Sequence, residues 1–203
     1  GSLAAGGANA INMYIDRDID KLMVRTQNRP LVTGAMTPRA AMIFAIALEV
    51  VAFGVLWAGA NLLAAILAVS ATLFYVFVYS LWLKRTSKQN IVIGGAAGAM
   101  PVLVGWAAVT NSLGWTPVVL FVVIFLWTPP HFWALAIRYA DEYKAAGVPM
   151  MPVVVSLERT VRSMTAYAVL LTISTLVLIP VANLGWIYGI TALVFGVAFV
   201  IGA

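Results

Sequence analysis

Hydrophobic residues in this chain fall into long uncharged runs instead of alternating or amphipathic patterns. Six runs, Ala40–Trp57, Leu62–Leu83, Ile91–Val109, Leu113–Ile137, Ser163–Ala182 and Trp186–Ala203, approach or exceed the roughly 20 residues needed to cross a bilayer as a helix. A seventh, from Leu3 to about Met23, reads as a partial helix. No ten-residue alternating pattern suggests a membrane β-barrel, and backbone groups in hydrocarbon must bond within their own segment. The expected fold is all-α: a polytopic transmembrane bundle of six complete spans plus the partial N-terminal helix. Residues 1–203 read as a single transmembrane domain. Leu3–Ile15 is apolar but short and the chain stops inside an apolar run, so the ends read as cut from a longer protein.

The connections alternate in character. Gly59–Asn61, Thr110–Ser112 and Asn183–Gly185 are short and uncharged, whereas the segments 17–39, 84–90 and 138–162 contain all 12 Lys and Arg. An alternating topology places those three segments on one side, and the positive-inside rule makes it the cytoplasmic side of a cell membrane. Six of the seven acids lie there too, and Glu49 alone falls mid-span, either protonated or paired with a polar neighbour.

Composition supports lipid as the solvent, since 63% of residues are hydrophobic and 9% charged against about 25% charged in soluble domains. The net charge of +5 reports topology and not nucleic-acid binding, because the bases sit between apolar spans. No Cys and a single His exclude disulfides, thiolate nucleophiles and multi-His metal centres. A channel or pump would carry ionisable groups along a path through the membrane. Here charge gathers at one edge, which suggests a water-facing mouth on an apolar body.

The chemistry at that edge begins with Asn12, Asp16 and Asp20. Four-residue spacing advances about 40° per step around a helix, so the three share a face, while Asp18 lies about 200° from Asp16. One amide and two carboxylates are hard oxygen ligands suited to Mg²⁺, which binds through one or two carboxylates plus substrate phosphates. Lys21, Arg25 and Arg29 continue the spacing until Pro30 ends the helix, and guanidinium groups suit bidentate phosphate recognition. Acids for a metal beside bases for oxyanions describe a diphosphate site. The alternative is a solvated helix end with i,i+4 ion pairs, but Asn12 and Asp16 still lie in the apolar stretch, where desolvation disfavours idle charge.

Further candidates lie downstream. Lys84, Arg85 and Lys88 sit where a polar-headed substrate would approach, with ordinary membrane anchoring the alternative for Lys88. Gly94, Gly95 and Gly98 read as close helix packing and not as a phosphate loop. His131 follows Thr128-Pro129-Pro130, and two prolines are expected to break or kink the span. His131 then either bonds the freed carbonyls or contacts a substrate in a cavity.

Asn12, Asp16, Ile19, Asp20, Met23, Arg25, Thr26, Arg29 and Gly34 match the signature of the UbiA superfamily of intramembrane prenyltransferases. The stretch NMYIDRDIDKLMVRTQNRPLVTG at Asn12–Gly34 resembles that of the haem O synthase (protohaem IX farnesyltransferase) branch. KRTSKQNIVIGGAAGAMP at Lys84–Pro101 and WTPPHFWALAIRYADEYKAAGVPMMPVV at Trp127–Val154 are similar to that branch's own blocks. The resemblance implies a nine-helix family fold, of which this chain would lack most of the first two helices and the last. It also implies farnesyl diphosphate bound through Mg²⁺, ionisation to an allylic cation, attack by a vinyl group of haem B, and capture of the new cation by water. Asn90 would belong to the active-site wall, and His131 would touch haem iron or a propionate.

The family's second acidic motif usually has two Asp four apart. The matching region is Arg138–Lys144, where Asp141 and Glu142 are adjacent and diverge by about 100° on a helix, while Tyr139 and Tyr143 hold the four-spaced positions. One of the two acids is expected to supply a metal contact, with Arg138 and Lys144 on phosphate; a solvated turn is the alternative. Two rival functions are a superfamily enzyme acting on an aromatic quinone precursor and a transporter of polyanions or lipid diphosphates. The transporter predicts core charges and paired repeats, which the sequence does not offer.

Overall fold

A computed structural model describes residues 1–202. Among them there is no strand, and the chain is a bundle of helices joined by short connections. Five helices are long and apolar enough to cross a membrane: α4 (Pro38–Gly59), the continuous helix Leu62–Thr86, α7 (Asn90–Thr110), α8 (Trp115–Arg138) and α11 (Leu157–Ala182). The expected sixth span is α12 (Trp186–Gly202), apolar but of 17 residues; its last expected residue, Ala203, lies outside the described residues.

Successive helices pack as antiparallel neighbours, with α1 (Ser2–Ile15) on α4, then α5 (Leu62–Leu73) on α7, α7 on α8, α8 on α11, and α11 on α12. Contact positions are small. Ala41, Ala45 and Ala52 of α4 and Ala64, Ala65 and Ala68 of α5 are buried, so backbones approach closely. A Cβ on Gly95 of α7 would come 2.9 Å from the Thr128 side chain of α8, which makes this glycine a packing requirement. Large residues such as Val50, Val51 and Val55 point outward, as a lipid-facing surface requires. Glu49 is paired: Thr72 Oγ1 donates to its carboxylate at 3.2 Å and the group lies against Gly7.

Three expectations are corrected. The N-terminal helix does not run to Met23. Asp16 adopts φ −92°, ψ 8°, closing α1, and only the short α2 (Arg17–Asp20) follows, so residues 21–29 form turns and Lys21, Arg25 and Arg29 do not continue one helical face. Pro30 therefore opens the short α3 (Pro30–Thr33) and ends nothing, in keeping with proline's fitness for the first helical turn. The Pro129-Pro130 pair does not break α8, which continues to Arg138. The span expected from Ser163 also starts six residues early, at Leu157 of α11, because Ser156 caps its N-terminus by accepting from the Arg159 amide at 3.4 Å.

One feature had no sequence signal. After α5, residues Phe74–Leu83 wind as a π-helix before the single α-turn α6 (Lys84–Thr86).

On the uncharged side, Asn61 ties two helices together. Its side-chain oxygen accepts from the Ala64 amide at 2.9 Å, capping α5, and its amide donates to the Ala107 carbonyl at 2.6 Å at the end of α7. Asn61→Leu removes a cap and leaves helix-end groups unpaired, so it should cost about 1–2 kcal/mol. A lowered thermal midpoint in detergent micelles would check this.

Candidate active site

The three charged segments meet at one end of the bundle, and the break at Asp16 is what brings them together. Asp16 is fully buried at the seam between α1 and α2. The Asn12 amide, one turn earlier, donates to Asp16 Oδ2 at 2.7 Å and to Ser80 Oγ at 3.1 Å. Lys84 Nζ donates to the same Asp16 oxygen. The Arg85 guanidinium lies 3.7 Å from Asp16 Oδ1, which is buried and accepts no hydrogen bond.

Asp20, 3% exposed, pairs with Arg29 at 2.7 Å. The turn that returns Arg29 to it is pinned by Thr26, whose hydroxyl donates to the Asp20 carbonyl at 3.0 Å. Asp18 points away, as its helical offset predicts, and takes a bidentate contact from Arg85 at 2.7 Å to each oxygen. This guanidinium holds the Asp18 carboxyl well below the usual carboxylate range. The pair therefore contributes above the ordinary value of 3.8, and its contribution fades as pH falls below that value toward the depressed one. With Asp18 62% exposed, that contribution is small.

Asn12, Asp20, Arg25, Arg29, Lys84 and Tyr143 line a polar cavity of about 160 Å³. Tyr75, Tyr79 and Phe132 also border it, none of them singled out from the sequence. The π-winding explains why the tyrosines escaped notice. At 3.6 residues per turn, Tyr75 and Lys84 would face opposite directions, nine residues being two and a half turns. With i→i+5 bonding and roughly 4.4 residues per turn, positions 75, 79, 80 and 84 share a face. The rings of Tyr75 and Tyr79 stack at 5.4 Å, and the Ser80 hydroxyl bonds back to the Tyr75 carbonyl at 3.0 Å.

Other candidates stand apart from this cavity. Lys21 is exposed and not on its wall. Asn90 is fully buried; its amide donates to the Lys84 carbonyl at 3.5 Å and its oxygen has no partner. Asp141 and Lys144 are exposed on α9 (Ala140–Ala145), and the Arg138 guanidinium lies over the Tyr139 ring. Glu142 is half-buried with Oε2 unpartnered. His131 faces outward, stacked on Trp127 with centroids 4.2 Å apart and edge-on to Phe132. Among the described residues no three His, Asp or Glu side chains converge as a metal cluster, so the expected set of Asn12, Asp16, Asp20, Asp141 and Glu142 is not gathered around one point. The first three remain compatible with one hard cation, because the unbonded, buried Asp16 Oδ1 is the kind of oxygen such an ion requires.

An apolar cavity of about 550 Å³ adjoins the polar one, Asn9 and Tyr75 bordering both. It runs between α1, α4, α5 and α7, away from the charged edge.

Comparison with known proteins agrees with this architecture. Residues 1–203 match the UbiA prenyltransferase family. The protoheme IX farnesyltransferase of Gloeobacter violaceus is 56% identical over all of this chain and 67% of its own length. That of a Parafrankia species is 54% identical over 98% of this chain and 64% of its own. The chain thus spans about two thirds of the length of these relatives. Among solved structures, a UbiA homologue from Archaeoglobus fulgidus bound to GPP and Mg²⁺ superposes with a TM-score of 0.79 at 20% identity, covering 98% of this chain and 71% of its own. Digeranylgeranylglyceryl phosphate synthase does so with a TM-score of 0.77 at 22% identity, over 98% and 68% of the two chains. The helices, their lipid-facing surface and the matched residues lead to one conclusion: this multi-pass membrane chain belongs to the UbiA prenyltransferase family.

Proposed function

We propose that the protein transfers a farnesyl group from farnesyl diphosphate to a vinyl group of haem B, giving haem O. The observation that carries this reading is the adjacency of two cavities, one lined by Asn12, Asp20, Arg25, Arg29 and Lys84 and the other apolar. A diphosphate head matches the first and an isoprenoid tail the second. The relatives named protoheme IX farnesyltransferase support the acceptor, and the Mg²⁺ bound by the Archaeoglobus homologue supports the metal.

In this reading Asn12, Asp16 and Asp20 would hold Mg²⁺, while Asp141 or Glu142, which do not converge with them, would meet the substrate's metal from the second segment. Bound there, Mg²⁺ supplies Lewis-acid neutralisation of the departing diphosphate. Arg25, Arg29 and Lys84 face the same head and stabilise charge as the C–O bond lengthens, while Lys21, Arg85, Arg138 and Lys144 surround the approach. The faces of Tyr75, Tyr79 and Tyr143 provide negative quadrupole toward an allylic cation. Apolar walls keep water from it until the vinyl carbon has bonded. Water then adds to the cation left on haem and releases a proton, so that farnesyl diphosphate, haem B and water give haem O and diphosphate. Asn90 braces the Lys84 turn, and His131, on the outer face of α8 beside Phe132, is the haem contact. The charged edge faces the cytoplasm of a cell membrane.

Membranes containing the full-length protein, given haem B, farnesyl diphosphate and Mg²⁺, should yield haem heavier by one hydroxyethylfarnesyl modification in mass spectra. Unmodified haem throughout would overturn the reading.

A further inference from the structure

Glycines along α7 fall into two physical classes. A side chain on Gly94 would collide with Tyr79 and one on Gly95 with Thr128, so packing accounts for both. Gly98 and Gly105 are different: a Cβ on either would meet nothing within 4 Å, and both line the apolar cavity. Glycine weakens a helix interior relative to alanine, and no neighbour in this chain requires it at these two positions. They sit seven apart on one face with Pro101 between them, forming a bare wall along the cavity.

The wall has a direction. α7 starts at Asn90 beside the polar cavity, to which Ile91 contributes, and runs away from it. At 1.5 Å per residue, Gly98 lies about 10 Å beyond Ile91 and Gly105 about 21 Å. An extended carbon chain advances roughly 1.2 Å per bond, as three backbone bonds span about 3.3–3.6 Å. A geranyl chain then ends near the level of Gly98, a farnesyl chain between the two glycines, and a geranylgeranyl chain close to Gly105.

We infer that Gly98 and Gly105 set the prenyl chain length the site accepts, with Gly98 admitting the last isoprene unit of a farnesyl chain and Gly105 leaving room only beyond it. The inference rests on the tail occupying the apolar cavity. The occupant is the substrate's own tail because the cavity lies next to the polar one, Asn9 and Tyr75 forming walls of both. A transmembrane helix seated on the bare wall would instead respond to added side chains regardless of ligand length.

The test measures Kd for geranyl, farnesyl and geranylgeranyl diphosphate with Mg²⁺, by calorimetry on the full-length protein in micelles. Variants are Gly98→Leu, Gly105→Leu and, as a control, Gly54→Leu, whose site is equally open but is not on the cavity wall. Leu favours helix over Gly, so folding is not weakened by propensity. Gly98→Leu should weaken farnesyl binding at least tenfold while geranyl binding stays within twofold. Gly105→Leu should leave geranyl and farnesyl within twofold and weaken geranylgeranyl at least tenfold. Gly54→Leu should change none. Equal losses for all three ligands, or no change in their ratios, would overturn the inference. Wild-type haem prenylation, assayed in parallel, decides the acceptor separately: binding without transfer would sink the haem reading while the Kd series still decides chain length.

Discussion

Asp16→Asn should lower kcat/KM for prenyl transfer by about 10³ or more, equivalent to about 4 kcal/mol of lost transition-state stabilisation. The amide is nearly isosteric, and its oxygen can still accept from Asn12, so the seam between α1 and α2 keeps its shape. What disappears is the anionic oxygen that is buried and free of hydrogen bonds. Surface acids are often dispensable, but this one is fully buried, and a buried carboxylate of that kind would draw the proposed cation. Initial rates with farnesyl diphosphate over a range of Mg²⁺ concentrations would check this. A loss below tenfold at saturating metal would remove Asp16 from the machinery.

Lys84→Met should damage both stability and turnover. Its ammonium, on a side chain 17% exposed, neutralises the Asp16 carboxylate, and removing one member of a buried pair strands the other charge. Such losses run to about 3–5 kcal/mol, and the Arg85 guanidinium 3.7 Å away places this one at about 3 kcal/mol or somewhat below. The double variant Asp16→Asn/Lys84→Met leaves no stranded charge, so its thermal midpoint should return toward wild type. Its activity should not return, because both the proposed metal contact and the proposed phosphate contact are gone. Thermal unfolding in micelles beside rate measurements separates the two effects. Equal instability of the single and double variants would mean that Lys84 matters through packing of its alkyl stem alone.

The bundle was legible because long apolar runs and the clustering of Lys and Arg depend only on the solvent and on helix length. The acids Asp16 and Asp20 were legible because four-residue spacing holds within α1 and across its seam into α2. Arg25 and Arg29 were selected for a spacing that the structure abandons at Asp20. They still reach the cavity, because the turn pinned by Thr26 folds them back. Tyr75 and Tyr79 were invisible, since α periodicity turns them about 180° and 140° away from Lys84. Tyr143 was noticed only as an interruption of an acidic pattern, yet it lines the cavity while Asp141 beside it is exposed. His131 was expected at a broken helix. α8 instead runs on through the two buried prolines, with His131 on its outer face.

The π-wound stretch Phe74–Leu83 also has a consequence for inheritance. Ten residues there complete about 2.3 turns, which an α-helix would complete with about eight. The gene thus carries about two codons of slack at this point. Loss of two residues within the stretch is absorbed by rewinding to α and returns Lys84 to the same bearing. A substitution that rewinds it at constant length turns Lys84 half a circle from Asp16. Over these ten positions a two-residue in-frame deletion is a milder lesion than a substitution that rewinds the helix at constant length.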